Sequence, residues 1–272
     1  GTVALVTGAS SGIGKAAVRE LLDAGMRVFA AARRTEKMKD LADAGATPLY
    51  LDLTDEESIG SAVKAIEDGA GPVSVLVNNA GYGSYGAVED VGIDEARRQF
   101  EVNLFGLARL TQLVLPGMRK AGKGRIINIS SMGGKIYTPL GAWYHATKHA
   151  LEGFSDCLRL ETNQFGVDVV IFEPGAIKSE WDTIAADSAD KNSGGGAYAD
   201  FTAKTTRMMR ETYTKGKPSP PEVVATIIRK AATARKPRTR YAPGKNAGLL
   251  LFLRGMLSDR GFDRLIRSAY GL

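Results

Sequence analysis

Cysteine, histidine and long apolar runs are scarce in this sequence, and each scarcity excludes a class of protein. Cys157 is the one cysteine among 272 residues, so the chain forms no internal disulfide, and we expect this thiol to pack in the core of a cytoplasmic protein. The longest apolar run near the C-terminus, 249–253, is too short to cross a bilayer. His145 and His149 have the spacing of zinc ligands, but Ala146 stands where the zinc-protease motif requires glutamate, so we predict no metal site.

The composition indicates a globular protein with a basic surface. Hydrophobic residues make up 44% and charged residues 24% of the chain, which provides enough apolar side chains for one large core. The net charge is +6, and the densest basic patch is 235–240. No helix-turn-helix, zinc-finger or RNA-binding signature accompanies this patch, so we interpret it as a solvated surface and expect no nucleic-acid partner.

Seven apolar runs of strand length alternate with stretches long enough for helices. This alternation predicts βαβ units, and right-handed crossovers then give a single-domain α/β fold, a Rossmann-type, doubly wound parallel sheet of about seven strands with helices on both faces. In such a sheet, ligands bind at the carboxyl ends of the strands. The runs are 3–6, 27–31, 47–51, 73–77, 125–129, 167–172 and 239–242.

A glycine-rich loop follows the first of these runs. Gly8, Gly12 and Gly14 are spaced G-x3-G-x-G between that run and a helix-periodic stretch at 15–22. Strand, glycine-rich turn and helix form the arrangement that binds a dinucleotide, because glycines let the backbone approach a pyrophosphate and the helix N-terminus supplies free N–H groups. We therefore predict a nucleotide site at this turn.

Ser131, Tyr144 and Lys148 have the spacing of a proton-transfer site. Tyr144 and Lys148 are four residues apart within a predicted helix at 141–166, so they share one face of that helix. A neighbouring ammonium favours the phenolate, and we therefore expect the pKa of Tyr144 to fall toward neutrality. Such a tyrosine exchanges a proton with a carbonyl or alcohol oxygen near neutral pH, and Ser131 would hydrogen-bond the same oxygen.

Together these motifs resemble those of the short-chain dehydrogenases/reductases, over about residues 2–180. More narrowly, the chain is similar to the branch that contains 17β-hydroxysteroid and retinol dehydrogenases, partly through 237–241 and the C-terminal tail. The resemblance implies an enzyme that moves a hydride between a nicotinamide cofactor and a CH–OH group. The matching segments, in chain order, are 7–14, 52–53, 78–81, Asn103, Ser131, 144–148 and 174–175.

The resemblance also implies roles for individual residues. Tyr144 would act as the general acid or base, Ser131 would orient the substrate oxygen, and Lys148 would lower the tyrosine pKa and hold the nicotinamide ribose. Asn103 would hold a water molecule that links Lys148 to solvent. The residues expected to contact the cofactor are Gly8, Ser10, Ser11, Gly12, Ile13, Gly14, Arg33, Arg34, Asp52, Leu53, Asn79, Ala80, Gly81, Tyr144, Lys148, Pro174, Gly175, Ile177 and Ser179.

The end of the second apolar run bears on the choice of cofactor. NAD sites place an acidic residue about 20 positions beyond the glycine motif, whereas this sequence has Ala32 followed by Arg33 and Arg34. Because a 2′-phosphate needs a cation and a carboxylate would repel it, we predict NADP(H), with Arg33 as the better candidate and Arg34 next. Asp52 would contact the adenine; its structural alternative is a helix N-cap, a role that Thr54 fits better.

The segment 182–221 departs from the alternation of strands and helices. Its glycine-rich part, 191–196, predicts a flexible stretch, and a helix-prone stretch at 198–213 follows. The family resemblance implies that this segment is the substrate-binding loop, which agrees with its length. We expect 1–244 to form the catalytic domain, with this loop inside it, and 245–272 to form a helical extension.

The nature of the substrate is predicted from side chains around the expected cleft. Aromatic residues there suit a hydrophobic alcohol or ketone of steroid, retinoid or lipid type, although ordinary packing explains them equally well. The tail at 247–267 could cover the cleft, pack on a partner subunit or lie on a membrane surface, with covering or packing favoured. The family resemblance implies a homodimer or homotetramer. The aromatic residues are Tyr82, Tyr85, Tyr137, Trp143 and Trp181.

Two other functions stay open. One is the reduction of a 3-oxoacyl thioester, since a basic surface would suit an acidic carrier protein, although the C-terminal extension argues against it. The other is a nonenzymatic NADPH sensor on the same fold, because fold does not dictate function. The intact serine, tyrosine and lysine set argues against the sensor.

Overall fold

The computed structural model describes residues 1–272, apart from the side chains of Trp181 and Asp182. Every predicted apolar run forms a strand, with ends within two residues of the expected ones. The strands are β1 Val3–Thr7, β2 Arg27–Ala32, β3 Thr47–Tyr50, β4 Val75–Asn78, β5 Gly124–Ile129, β6 Val167–Phe172 and β7 Arg240–Tyr241. All their pairings are parallel, in the spatial order β3-β2-β1-β4-β5-β6-β7, which confirms the predicted fold class.

Helices follow most of the strands. They are α1 Gly12–Asp23, α2 Lys39–Asp43, α3 Glu56–Ala70, α4 Ile93–Phe100, α5 Gly106–Ala121, α6 Ala142–Thr162, α7 Trp181–Ser193, α8 Ala199–Thr214, α9 Pro221–Thr233, α10 Ala247–Met256 and α11 Asp259–Tyr270. A π-helical turn, Glu101–Phe105, joins α4 to α5. The strand order reverses beside β1, and this reversal opens a crevice at the carboxyl ends of β1 and β4.

The central strands of the sheet are buried on both faces, as their apolar sequences require. Every residue of β1 is buried, and β4 is buried throughout. Apolar side chains of α1, α2 and α9 cover one face of the sheet, and those of α3 and α5 cover the other. The core therefore has two layers of helices around one sheet, and the loops at the carboxyl edge are held between rigid elements.

Hydrogen bonds lock the carboxyl ends of β1 and β4 together. The Thr7 hydroxyl oxygen accepts from the backbone N–H groups of Asn79 and Ala80, each at 3.0 Å. The Asn79 side chain donates in return to the carbonyls of Thr7 at 3.0 Å and Gly8 at 3.3 Å. The glycine-rich loop is thereby fixed against the segment that follows β4.

The segment 182–221 is more ordered than its sequence predicts. The expectation of a flexible stretch at 191–196 is wrong for its first half, because α7 continues to Ser193. The Ser193 hydroxyl accepts from the backbone N–H of Ala87 at 2.9 Å, and Arg210 of α8 pairs with Asp187 and Asp190 of α7, each at 2.8 Å. The predicted helix at 198–213 is present as α8.

One surface expectation is wrong, and another holds except at a single residue. Cys157 is exposed on the outer side of α6 and does not pack in the core, because the inner face of that helix is formed by neighbours such as Leu158. Arg240, the last residue of the basic patch at 235–240, is not simply solvated. Its guanidinium pairs with Glu152 at 3.0 Å, Asp156 at 2.7 Å and Glu173 at 3.3 Å.

The C-terminal extension consists of two helices. Phe262 and Ile266 of α11 are buried against Ile136, and Phe262 packs edge-on against Tyr137 with ring centroids 5.2 Å apart. The helix α10 leaves Leu249, Phe252 and Met256 exposed. Among the described residues, no helix combines the length and the apolar character that crossing a bilayer requires. Whether the extension forms a unit separate from 1–244 stays a prediction.

We expect Thr7→Val to lower the free energy of unfolding by about 1–3 kcal/mol, because two backbone N–H groups lose their acceptor while the side-chain shape is kept. Urea denaturation measures the change. Thr233→Val is the matched control, since its hydroxyl is exposed and bonds only to its own helix, and it should stay within about 0.5 kcal/mol of wild type. If Thr7→Val were as stable as wild type, the Thr7 hydroxyl would not hold the carboxyl ends of β1 and β4 together.

Candidate active site

A cleft of about 760 Å³ runs along the carboxyl edge of the sheet, where the sequence motifs converge. It begins at the glycine-rich loop and ends among side chains of α7, α8 and α11. Gly14 and Asn103, the remaining predicted site residues, lie behind its wall. The predicted residues that line it are Gly8, Ser10, Ser11, Gly12, Ile13, Arg33, Arg34, Asp52, Leu53, Asn79, Ala80, Gly81, Ser131, Tyr144, Lys148, Pro174, Gly175, Ile177 and Ser179.

The glycine-rich loop has the geometry of a cradle for a phosphate group. Gly8 and Gly12 have φ values of +65° and +54°, which side chains other than glycine rarely adopt. A Cβ on Gly8 would lie 2.8 Å from the Cα of Ala80, and one on Gly14 would overlap Asn79. The first turn of α1 carries no acidic residue and no side-chain cap, so its N–H groups are open to an anion. These residues fit a dinucleotide pyrophosphate.

The end of β2 places two arginines at the rim of the same cleft. Ala32 is buried, and Arg33 and Arg34 after it are exposed. Arg34 donates to the Ser10 hydroxyl at 3.3 Å and pairs with Glu180 at 3.3 Å. Arg33 is near enough to Asp52 for its charge to lower the pKa of that carboxyl. Both cations are therefore within reach of a group bound at the glycine-rich loop.

Asp52 lies at the end of β3 and is fixed by Thr54. Partial burial raises the pKa of Asp52, but two hydrogen bonds from Thr54, at 2.9 Å and 2.8 Å, outweigh it and lower that pKa overall. The expectation that Thr54 caps the following helix is wrong. Asp55 caps α3 instead, because the helix begins at Glu56, one residue later than a Thr54 cap requires. The Asp55 side chain accepts from the Glu57 N–H at 3.0 Å.

The segment after β6 forms the opposite wall of the cleft. The carbonyl of Pro174 accepts from the Met132 N–H at 3.0 Å, and the Gly175 N–H donates to the Pro243 carbonyl at 2.9 Å. A Cβ on Gly175 would overlap the carbonyl of Lys245, so glycine is required here. Further along, Ser179 lies opposite Gly12, 3.7 Å from the position of a Cβ there. This wall is thereby held over the glycine-rich loop.

Ser131 and Tyr144 meet in the middle of the cleft, as their spacing predicts. Tyr144 is buried and hydrogen-bonds with Ser131. The expectation of a lowered pKa is wrong: burial raises the pKa of Tyr144 to about 12, and the hydrogen bond with Ser131 opposes this only in part. At neutral pH the hydroxyl is therefore a proton donor.

Lys148 lies one helical turn after Tyr144, but its ammonium is directed elsewhere. Its Nζ donates to the Ile129 carbonyl at 2.9 Å and is 6.0 Å from the centroid of the Tyr144 ring. Burial lowers the pKa of Lys148 to about 8, against the opposing charge of Glu152. Burial therefore favours the neutral form of both side chains, raising the pKa of Tyr144 and lowering the pKa of Lys148.

Asn103 joins the cleft wall to the catalytic helix from behind. Its Nδ2 donates to the Tyr82 carbonyl at 2.8 Å and to the Thr147 hydroxyl at 3.0 Å. Its Oδ1 accepts from the Tyr82 N–H at 3.0 Å and lies 3.1 Å from the position of a Cβ on Gly81. The residue sits in the π-helical turn, a distortion often found at functional sites. The water-holding role stays a prediction, while the side chain fixes the loop at Tyr82.

His145 is buried beside Tyr144 and is a structural acceptor. Its Nδ1 lies 2.9 Å from the Gly133 carbonyl, and its Nε2 accepts from the Thr138 N–H at 3.0 Å. Burial lowers the pKa of His145 to about 4, so the ring is neutral. His149 bonds through Nδ1 to the carbonyl of His145 at 2.8 Å.

The far end of the cleft is aromatic, but only partly through the expected residues. Tyr82 and Tyr85 line it, while Tyr137 lines a neighbouring cavity of about 720 Å³. Trp143, a described residue, lines neither, and the side chain of Trp181 lies outside the described residues. The sequence reasoning missed Thr138, Ile184, Met209, Tyr213 and Tyr270, which also line this end. Most of them lie outside any motif, and only the folded chain brings them together.

Comparison with known proteins identifies the family. A sequence model described as short chain dehydrogenase matches residues 2–189. The chain belongs to this family. It is therefore an oxidoreductase that acts on CH–OH groups, and the predicted enzyme class is confirmed. The narrower branch expected from the sequence stays a prediction.

Individual relatives cover nearly the whole chain. The NADPH-dependent 3-dehydrocapnine reductase of Ornithobacterium rhinotracheale is 38% identical over 281 residues, which span 96% of this chain and 95% of that protein. A short-chain dehydrogenase from Streptomyces avermitilis has a solved structure with a TM-score of 0.80 and 37% identity, covering 98% of this chain and 97% of the other. The closed form of a serine dehydrogenase with NADP+ has a TM-score of 0.78 and 26% identity, covering 89% and 94%.

Proposed function

We propose that the protein is an NADP(H)-dependent oxidoreductase that transfers a hydride between nicotinamide and a hydrophobic alcohol or ketone. One observation carries the proposal: the hydrogen-bonded Ser131 and Tyr144 pair lies in a cleft that joins a phosphate cradle to an aromatic end. The cofactor would lie along the glycine-rich loop, with Pro174, Gly175 and Ile177 beside the nicotinamide. When bound, the reduced nicotinamide supplies the hydride.

The chain's own residues would handle the proton. In carbonyl reduction, the substrate oxygen accepts a hydrogen bond from Ser131 and receives the proton of the Tyr144 hydroxyl. The C=O bond becomes a C–OH bond, and Tyr144 is left as a phenolate. Because burial penalises that phenolate, a nearby cation is needed to stabilise it and to return a proton.

Lys148 is the cation in position to do so. Its Nζ is the ammonium found near the Tyr144 ring, and it would also hold the nicotinamide ribose. Since its pKa is about 8, it carries its charge at neutral pH and can lose a proton without a large penalty. Asn103 bonds both to the loop at Tyr82 and to Thr147 on the helix that carries Lys148, and so holds the two together. A water molecule near Asn103 would complete the path by which Lys148 exchanges protons with solvent.

The protonated state of Tyr144 favours reduction as the direction that the protein catalyses at neutral pH. With a pKa of about 12, the Tyr144 hydroxyl keeps its proton at neutral pH, which is the state that carbonyl reduction uses, whereas oxidation of an alcohol requires the tyrosine to accept a proton. The relative named as an NADPH-dependent 3-dehydrocapnine reductase is consistent with this direction.

We favour NADP(H) over NAD(H) because of the charges at the end of β2. Ala32 offers no carboxylate to a ribose 2′-OH, while Arg33 and Arg34 stand exposed beside the glycine-rich loop. The NADP+ bound to the related serine dehydrogenase supports the same choice. Asp52 and Leu53 would contact the adenine.

The remaining assignments follow from the surroundings of the cleft. Its aromatic end supports a lipid-, steroid- or retinoid-like substrate, and α11 supports the covering role proposed for the C-terminal tail. Phe105 and Leu160 are exposed beside α5 and on α6, which supports a homo-oligomer through these helices. A cytoplasmic location completes the proposal, and a weak membrane-surface contact through 247–267 is the less favoured role for the tail. A 3-oxoacyl-thioester reductase and an NADPH sensor are its alternatives.

We expect the purified protein to oxidise NADPH with at least one carbonyl from a panel of long-chain ketones, steroids, retinals and 3-oxoacyl thioesters. Tyr144→Phe should lower kcat by about 100-fold or more, because it removes the proton donor and keeps the ring. The measurement is the loss of reduced-nicotinamide absorbance. Tyr198→Phe is the control and should match wild type, because Tyr198 does not line the cleft and its hydroxyl bonds to Glu89. NADPH binding without turnover of any carbonyl would favour the sensor instead.

Arg33→Ala should lower kcat/KM for NADPH by about 10- to 100-fold and leave kcat/KM for NADH nearly unchanged. The reason is the loss of a charge-assisted contact to the 2′-phosphate, worth about 1.5–3 kcal/mol. Parallel titrations with both cofactors measure the ratio. Arg119→Ala, on the outer surface of α5, controls for the change in net charge. Equal losses with both cofactors would contradict the assignment of Arg33.

A further inference from the structure

A stripe of polar side chains runs along one face of α6, away from the cleft. Tyr144, Lys148, Glu152 and Asp156 follow one another at intervals of four residues, so each lies one helical turn from the next, with Cβ atoms about 5–6 Å apart. Tyr144, Lys148 and Glu152 are buried, whereas the Asp156 side chain is 37% exposed. The stripe therefore leads from the proposed proton donor toward the protein surface.

Glu152 is a buried carboxylate that is paired with cations from outside α6. Its Oε2 lies 3.0 Å from the guanidinium of Arg240 in β7 and 3.6 Å from the ammonium of Lys135, in the segment after β5. Arg240 also pairs with Asp156 at 2.7 Å and with Glu173, just after β6, at 3.3 Å. Because Arg240 divides its charge among three carboxylates, it does not neutralise Glu152 alone.

The second carboxylate oxygen of Glu152 takes no part in these pairs. Oε1 is buried, and no hydrogen-bond donor among the described residues contacts it. It lies beside Gly134, where a Cβ would be 3.1 Å away. A buried charge that is not fully paired acts over a longer distance than an exposed one, because little water screens it. The negative charge of Glu152 is therefore felt one helical turn away.

Lys148 is the cation at that distance. Its Nζ donates to the Ile129 carbonyl at 2.9 Å, and a neutral carbonyl offsets only part of the cost of burying an ammonium. Tyr144, on its other side, is protonated and carries no charge. The charge of Glu152 opposes the burial that lowers the pKa of Lys148 to about 8. Without this carboxylate, less of Lys148 would be charged at neutral pH.

We propose that Glu152 is a positioning residue for the reduction: its buried carboxylate keeps Lys148 in the ammonium form on which Tyr144 depends, and Arg240 and Lys135 hold that carboxylate in place. Glu152 does not line the cleft, so it acts through Lys148 and not on the substrate. This inference rests on the proposed function, since it adds a third residue of α6 to the proton transfer of that enzyme.

The pH dependence of kcat/KM tests the role of Glu152, with NADPH and the carbonyl of the panel above that turns over fastest. In the wild type the rate should fall as the pH rises through about 8, where Lys148 loses its charge. Glu152→Gln keeps the shape and removes the charge, so the fall should move down by about one pH unit. The variant should then nearly match the wild type at about pH 6 and have about half its rate at about pH 7.

Asp156→Asn is the matched control. It removes a carboxylate from the same arginine, but two helical turns from Lys148 and where solvent screens it, so the fall should stay at the wild-type pH. If Glu152→Gln does not fold, Lys135→Met tests the same charge. Loss of this partly exposed cation strengthens the field of Glu152, so the fall should move to higher pH by a few tenths of a unit.

A structural role for Glu152 would lower the rate of Glu152→Gln alike at every pH and leave the fall at its wild-type position, which would overturn the proposal. An unchanged pH profile in Lys135→Met would overturn it as well. If the wild type turned over no carbonyl of the panel with either nicotinamide cofactor, that result would instead contradict the proposed function on which the inference rests.

Discussion

Burial of the Tyr144 hydroxyl is the constraint on which the chemistry of this site depends. Without water around it, the phenolate is costly, and the pKa of Tyr144 rises to about 12. The same burial lowers the pKa of Lys148 to about 8. A donor that holds its proton firmly therefore stands one helical turn from a cation that releases its proton easily. In the proposed reaction, Tyr144 would give its proton to a carbonyl oxygen, and Lys148 would stabilise the phenolate that remains.

Local patterns in the sequence were enough to predict the framework of the site. Apolar runs of strand length predicted the sheet, because its central strands are buried on both faces, as β1 shows. Once the strands are parallel and in order, residues that follow them must meet at one edge. Gly8, Ser131 and Pro174 each follow a strand, and all three line one cleft. The roles given to these residues stay predictions. Their location in one cleft, however, follows from the order and direction of the strands alone.

The sequence could not predict the directions in which side chains point, or the contacts between residues that are far apart in the chain. Spacing puts Tyr144 and Lys148 on one helix face, but it does not reveal that the ammonium donates to the Ile129 carbonyl. Cys157, which we expected to pack in the core, points outward from α6. Tyr270 lines the same cleft as Thr138 only because α11 folds back over it, although the two residues are far apart in the chain. Burial and long-range packing decide such features, and neither has a local motif.

The pH dependence of kcat/KM for carbonyl reduction tests most directly whether Tyr144 is a buried proton donor supported by Lys148. The pKa of Tyr144 is raised, so its proton is present throughout the accessible range, while the ammonium of Lys148 is lost as the pH rises through about 8. We therefore predict a rate that is level at neutral pH, falls above about pH 8, and loses that fall in Lys148→Met, at a lower overall rate. A fall through pH 6–7 that survives in Lys148→Met would contradict the account, since it would mean that Tyr144 titrates near neutrality.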